Sequence, residues 1–242
     1  MKWTALLTAI LIGFSATAFA QDNKLTREEK KAGWILLFNG KNLKGWETIR
    51  GTKSNRPVED GALNPRRCGG YLLIHKEIWG DFTLTLDYKI SPGGNSGIFV
   101  RQFPLKPPKG LDIPSCGLEV QILDPTIVNT DIRVGHSQDY YSTGAIYDLA
   151  PVSKRVDKPA GEWNHIEITC DRNMITVNLN GHDVTTMDLD QFTKAGLCPD
   201  GSAHKFEKVA WAEHPREGYI GFQDHGNDVW YKNIKLLPLN TD

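Results

Sequence analysis

From residue 81 the chain alternates. Phe82, Leu84, Leu86, Tyr88 and Ile90 fall on one parity, and Asp81, Thr83, Thr85, Asp87 and Lys89 on the other. A period of two belongs to a strand with one face buried and one solvated. The same period runs through Asn164–Cys170 and Met174–Leu179, and the Asp171-Arg172-Asn173 step between them predicts a hairpin. Asn180-Gly181 is the signal of a type I′ turn, leading into His182–Met187. Tyr219–Gln223 and Val229–Leu237 predict closing strands. Ahead of the strands, Thr26 with Glu29 fits the capping box of a short helix, and Gly33 ends it. Many short antiparallel strands without long helices predict an all-β sandwich. A helical lead-in is expected over residues 21–33 and a single domain over residues 34–242. Two long irregular stretches, 103–116 and 188–216, interrupt the strands. Loops of that length in a compact domain are usually functional, and these are expected to wall a cleft.

One strand carries unusual polar residues. In residues 117–124, Leu118, Val120 and Ile122 face one way and Glu119 and Gln121 the other. Desolvating a carboxylate is costly, so a buried strand carries one for a use. A β-bulge would swing Asp124 to the same side. The alternative is an edge strand with solvated polar groups. Three further segments place polar groups beside glycine. Asn95 and Arg101 share parity with Gly97 and Phe99; Gln223 and His225 share it with Gly221; Tyr147 ends a short run beside Gly144. Glycine on a polar face clears space for a close approach. Each also has a structural reading: Arg101 neutralises an acid, His225 sits in a turn, Tyr147 belongs to the core. Together they supply amide, guanidinium, carboxylate and imidazole groups to one expected face, with Val120, Ile122, Ile220 and Phe222 buried behind it.

Composition narrows the partners. The 28 basic residues nearly balance the 29 acidic ones, with no basic block, which argues against nucleic acid. Seven Trp suit a β-core and also suit stacking on sugar rings. Lys2, the apolar run Trp3–Phe14 and Ala18-Phe19-Ala20 form a signal-peptide pattern over residues 1–20. The expected product starts at Gln21 and is periplasmic or secreted. The run is too short for a membrane anchor, so no membrane insertion is expected. Cys68, Cys116, Cys170 and Cys198 lack zinc-site spacing and allow three disulfide pairings or free thiols. Cys170 is in phase with Ile166 and Ile168, as a small buried residue would be.

An ordered set of short motifs covers residues 25 to 239. It includes Gly33-Trp34, Phe38-Asn39-Gly40, Gly45-Trp46, Gly80-Asp81-Phe82 and Gly94-Asn95-Ser96-Gly97 followed by Arg101. It continues through Glu119-Val120-Gln121 with Asp124, Thr143-Gly144 with Tyr147, Trp163-Asn164, Asn180-Gly181, Gly221-Phe222-Gln223-Asp224-His225-Gly226 and Asn233-Ile234. In this the chain resembles the bacterial 3-keto-disaccharide hydrolase domain family. The resemblance implies a concanavalin-like β-jelly roll of two curved antiparallel sheets, with a sugar cleft on the concave one. It also implies hydrolysis of glycosides whose glucose unit carries a ketone at C3, so the expected partner is an oxidised (3-keto) glycoside or disaccharide.

A C3 ketone acidifies the hydrogen on C2. A base removes it, the C1 substituent leaves, and water adds to the unsaturated keto sugar. On this reading Glu119 or His225 is the base, and Asp124 is the acid or its orienter. Arg101 with Gln121 and Gln223 holds the enolate and hydroxyls, and Asn95 and Tyr147 bind sugar hydroxyls. The chain has no dedicated metal motif, so no cofactor is assigned. A divalent metal in place of Arg101 is the variant, with Glu119, Asp124 and His225 as its ligands. Two alternatives stand beside this. One is a lectin-like module that binds glycan without cleaving it. The other is a glucanase of the family 16 type, whose Glu, Asp and Glu at i, i+2 and i+5 correspond to Glu119, Gln121 and Asp124.

Overall fold

The computed structural model describes residues 21–239, so the leader expected over residues 1–20 lies outside the described residues. Helix α1 (Arg27–Ala32) is held at both ends as its sequence predicts. The Thr26 side chain accepts from the Glu29 N–H, Glu29 accepts from the Thr26 N–H at 2.7 Å, and Gly33 closes the helix at φ 91°. Eleven strands follow among the described residues: β1 (Ile35–Leu36), β2 (Trp46–Thr48), β3 (Leu72–Trp79), β4 (Phe82–Ile90), β5 (Asn95–Gln102) and β6 (Leu118–Leu123), then β7 (Asn164–Asp171), β8 (Met174–Leu179), β9 (His182–Asp188), β10 (Gly218–Gln223) and β11 (Val229–Pro238).

All pairings are antiparallel, and they make two sheets. One has the order β1-β11-β4-β7-β8-β9 and the other β2-β3-β10-β5-β6. This is the two-sheet antiparallel sandwich with a short N-terminal helix that the sequence predicts. The alternation in β4 is strict, each apolar residue buried and each polar one half-buried. The β7–β8 hairpin turns at Arg172-Asn173, with Asp171 paired to Met174. Asn180 and Gly181 both have positive φ, 51° and 82°, as a type I′ turn requires.

The core lies between the sheets. Leu84, Leu86, Ile166, Ile168 and Val177 from the larger sheet meet Ile98, Val120, Ile122, Ile220 and Phe222 from the smaller, all fully buried. Each contributes about 1.5–3 kcal/mol by leaving water. Phe222 stacks between Trp46 and Tyr231, at ring separations of 5.2 and 4.2 Å. All four cysteines are free and buried, and Cys170 faces the core opposite Phe82. No helix among the described residues is long and apolar enough to cross a membrane.

The smaller sheet differs from an ordinary half-solvated sheet in one respect that matters for function. All six residues of β6 are buried, so both of its faces are covered. Phe99, Leu72 and Ile74 form a second apolar cluster on the outer face, roofed by Leu105 and Ile113 from the 103–116 loop.

Candidate active site

The outer face of the smaller sheet gathers most of the polar candidates. Glu119 on β6 stands opposite Phe99 on β5, and Gln121 stands opposite Gly97. Phe99 stands opposite Gly221 on β10, and Gln223 follows two residues on. Glu119, Gln121 and Gln223 therefore share a face, while Val120, Ile122, Ile220 and Phe222 fill the core behind them. Gly97 makes this possible. A Cβ there would stand 2.5 Å from Glu119 Oε1 and 2.7 Å from its Cγ, so the carboxyl lies across β5 only because position 97 has no side chain.

Glu119 is 5% exposed and has no salt-bridge partner within 4 Å among the described residues. Burial raises its pKa from 4.5 to about 7, opposed by the positive charge of Lys205 and by hydrogen bonding from Gln223. Gln223 Nε2 donates to the Tyr71 hydroxyl at 2.6 Å. Burial, with the charge of Glu119 beside it, holds the Tyr71 phenol neutral far above the physiological range. Tyr147 lies on the other side of Glu119. Its main-chain N–H donates to the Glu119 carbonyl at 2.9 Å, and its pKa is raised by burial and again by Glu119. Lys205 Nζ sits 4.1 Å from the centre of the Tyr147 ring, within cation–π range. Asn95, one pleat beyond Gly97, belongs to the same face; its Oδ1 and the Oε1 of Gln223 are buried acceptors without a donor among the described residues. Unpaired buried acceptors are uncommon and fit a site that receives hydroxyl donors.

The two long loops meet above this face. Lys208 Nζ donates to the Gly110 carbonyl at 3.2 Å, and a cavity of about 350 Å³ lies between Asp112, Ser115, Lys205 and Phe206. Lys205, whose ammonium rests on the Tyr147 ring, lines this cavity and links it to the cluster. A larger cavity of about 490 Å³ lies at the edge of the other sheet, beside Met174, Met187 and Phe192, and none of the cluster lines it.

Three expected members lie elsewhere. Arg101 shares parity with Phe99 only in a regular strand. Tyr219 pairs with Gln102 and Gly221 with Phe99, so β5 spends one residue more than β10 over this interval. Arg101 is at that bulge, with φ 51°. Its side chain turns away from Glu119 into the interior, fully buried, donates to Asp81 at 3.0 Å, and lies near core residue Cys170. Asp124 is not brought round by a bulge, because β5 and β6 pair in unbroken register from Val100–Leu118 to Asn95–Leu123. It lies past the strand end, where Oδ2 accepts from the Gly93 N–H at 2.6 Å and Oδ1 from Thr126 N and Oγ1 at 2.9 and 2.8 Å. Burial would raise its pKa, but these bonds win and lower it. It is a turn-forming carboxylate. His225 lies in the turn after β10, exposed, with no hydrogen bond among the described residues to any member of the cluster. Glu119, Asp124 and His225 are therefore not gathered as a three-ligand metal site, and the described residues contain no such group of three.

Sequence reasoning did not single out Tyr71 and Lys205. Tyr71 precedes a strand, and Lys205 lies in a loop without periodicity. The length of the 188–216 loop was the only signal for the latter.

A curated relative from Bacteroides thetaiotaomicron, named 3-keto-disaccharide hydrolase, is 29% identical over 239 residues, covering 86% of this chain and 79% of its own. Two crystal structures from Parabacteroides distasonis, described as candidate glycosyl hydrolases, superpose well. One has a TM-score of 0.71 at 28% identity, over 91% of this chain and 100% of its own; the other has 0.66 at 31%, over 85% and 99%. The model of the 3-keto-alpha-glucoside-1,2-lyase-like domain matches residues 33–237, and the chain belongs to that family.

Proposed function

We propose that the protein is an exported carbohydrate-active enzyme that cleaves 3-keto glycosides by elimination and hydration. The observation that carries this reading is the Glu119 carboxyl. It is buried on the outer face of the smaller sheet, where desolvation pushes its pKa up to about 7, within the field of Lys205 and near two tyrosines held neutral. A base poised near neutral pH suits removal of a moderately acidic C–H proton. Glu119 takes the C2 proton, and the electron pair moves toward the C3 oxygen. Lys205 faces the developing enolate, where a fixed positive charge in a dry site is most effective. The pair then forms the C1–C2 double bond as the C1 oxygen leaves with the proton that Glu119 took. Water adds at C1 and a proton returns to C2. The hydroxyls of Tyr71 and Tyr147, held neutral, donate to substrate oxygens, and Asn95 and Gln223 accept from sugar hydroxyls. Asp124, committed to its turn, leaves Glu119 without the second carboxylate that direct displacement at C1 requires. A module that only binds glycan uses a carboxylate as a hydroxyl acceptor and is better served by one that stays ionised, so a carboxyl pushed up to about 7 favours an enzyme. The leader pattern at residues 1–20 supports export.

The experiment is incubation with 3-keto-trehalose, 3-keto-lactose and their unoxidised parents in deuterated water, with products identified by mass and NMR. Cleavage of the keto sugars alone, with deuterium at C2 of the released keto sugar, is expected. Retention of the original hydrogen at C2 refutes elimination.

A further inference from the structure

Asp148 is a buried carboxylate that the proposed reaction leaves unused. It is 1% exposed, and its backbone is left-handed at φ 60°, a strained conformation for a residue with a side chain. Oδ1 accepts from the Tyr141 hydroxyl at 2.6 Å and faces His136 Nδ1 at 2.9 Å. Oδ2 accepts from Arg133 Nε at 2.8 Å and from the main-chain N–H of Lys205 at 2.6 Å. The His136 side chain is fully buried and stacks on Tyr140 at 3.9 Å. Its other nitrogen, Nε2, lies 3.3 Å from Ser202 Oγ.

These groups lie outside the eleven strands. They grip the 188–216 loop at Cys198, at Ser202 and at the Lys205 N–H. The neighbour of Asp148 in the chain is Tyr147, whose ring supports the Lys205 ammonium. Tyr141 also packs edge-on against Tyr147, at 5.3 Å. One carboxylate thus fixes the main chain of Lys205 and, through the peptide bond, the residue on which its side chain rests. A buried network of this kind is stable only when every member is satisfied, so it sets one geometry rather than a range.

We infer that Asp148, supported by Tyr141 and His136, is a positioning residue that holds the Lys205 ammonium over Tyr147 beside Glu119. The inference rests on the reading of Lys205 as the cation of the active site, and its test separates the two. The first measurement needs no substrate. In protein labelled with carbon-13 lysine, the side-chain methylene signals of Lys205, assigned by their loss in Lys205→Met, are displaced by the Tyr147 ring current. Asp148→Asn is expected to return them to the position of a free lysine. Tyr141→Phe keeps the ring, removes one donor, and is expected to shift them part of the way. Should Asp148→Asn not fold, Tyr141→Phe gives the same reading. Unmoved Lys205 signals in the folded variants overturn the inference, whatever the substrate.

The second measurement is a double-mutant cycle on turnover of a 3-keto disaccharide. Lys205→Met is expected to lower kcat by about a hundredfold, the scale for removing one fixed electrostatic donor. Asp148→Asn is expected to lower kcat in the native background and to have no further effect in the Lys205→Met background. Effects that multiply overturn the inference, because they show Asp148 acting by a route other than Lys205. Absence of turnover by the native protein on every keto sugar overturns the functional reading alone, and the Lys205 signals then decide the positioning role.

Discussion

Glu119→Gln removes a charge while keeping the shape of the side chain, and it should make the protein more stable as well as less active. Below pH 4.5 the carboxyl is protonated in both the folded and the unfolded chain. Between 4.5 and about 7 the unfolded chain ionises first, and folding must take a proton back. Stability drawn from this group therefore falls as pH rises through that window and stays level above it. The rise in pKa from 4.5 to about 7, at about 1.4 kcal/mol per pH unit, corresponds to at most about 3 kcal/mol. Urea denaturation of the native protein and Glu119→Gln at intervals from pH 4.5 to 9 isolates this contribution, because every other titrating group is common to both. The stability difference should move in favour of the variant by up to about 3 kcal/mol between pH 4.5 and 8. Over the same series kcat should fall by about two powers of ten or more, the usual scale for an acid–base group. A difference that does not change with pH, or one that grows in favour of the native protein as pH rises, refutes the assignment of Glu119 as a desolvated titrating base.

Further outcomes follow from the same geometry. Gly97→Ala places a methyl group 2.5 Å from Glu119 Oε1, so it should displace the carboxyl and lower kcat about as far as Glu119→Gln, measured with far-UV circular dichroism to confirm the fold. Gln223→Met removes a group that lowers the Glu119 pKa, so the ascending limb of the kcat/KM profile, which follows ionisation of the base, should move to higher pH. Asp124→Ala deletes the acceptor for Gly93 and Thr126 and should cost about 1–3 kcal/mol in urea denaturation, without the pH dependence of Glu119→Gln.

The strands were legible because each obeys a local rule. The alternation of β4, the glycine turn at Asn180-Gly181 and the capping box at Thr26 need no knowledge of distant residues. The shared face of Glu119, Gln121, Asn95 and Gln223 was legible for the same reason, since parity carries through a regular ladder. Arg101 and Asp124 were misplaced where the ladder stops being regular. The bulge at Arg101 comes from a mismatch between β5 and β10, strands far apart in sequence, and no pattern within either strand announces it. Asp124 follows the last paired residue of β6, so parity no longer governs it. His225 was given the parity of Gly221 past the expected end of the strand, with a turn as its other reading, and the turn is what forms, since Asp224 accepts from the Gly226 N–H. Tyr71 and Lys205 reach Glu119 from outside the strands, and side chains on loops are placed by tertiary packing alone.

The order of the strands has a consequence for how the chain must assemble. β10 lies between β3 and β5, and β11 lies between β1 and β4. The last two strands to be made are therefore interior to both sheets. Until they emerge, β3 and β5 have no common neighbour, and β4 presents an open edge to anything that can pair with it. Only the β2–β3 pair, the β4–β7–β8–β9 ladder and the β5–β6 pair can form from what precedes them. Closure of the sandwich is then a late, non-local event, the kind that slows folding and lengthens exposure of unpaired edges. A stop codon before Gly218 would remove the central strand of the smaller sheet and leave β1 of the larger one without its partner. For the same reason fragments ending there should aggregate, whereas loss of β1 should leave an otherwise intact sandwich.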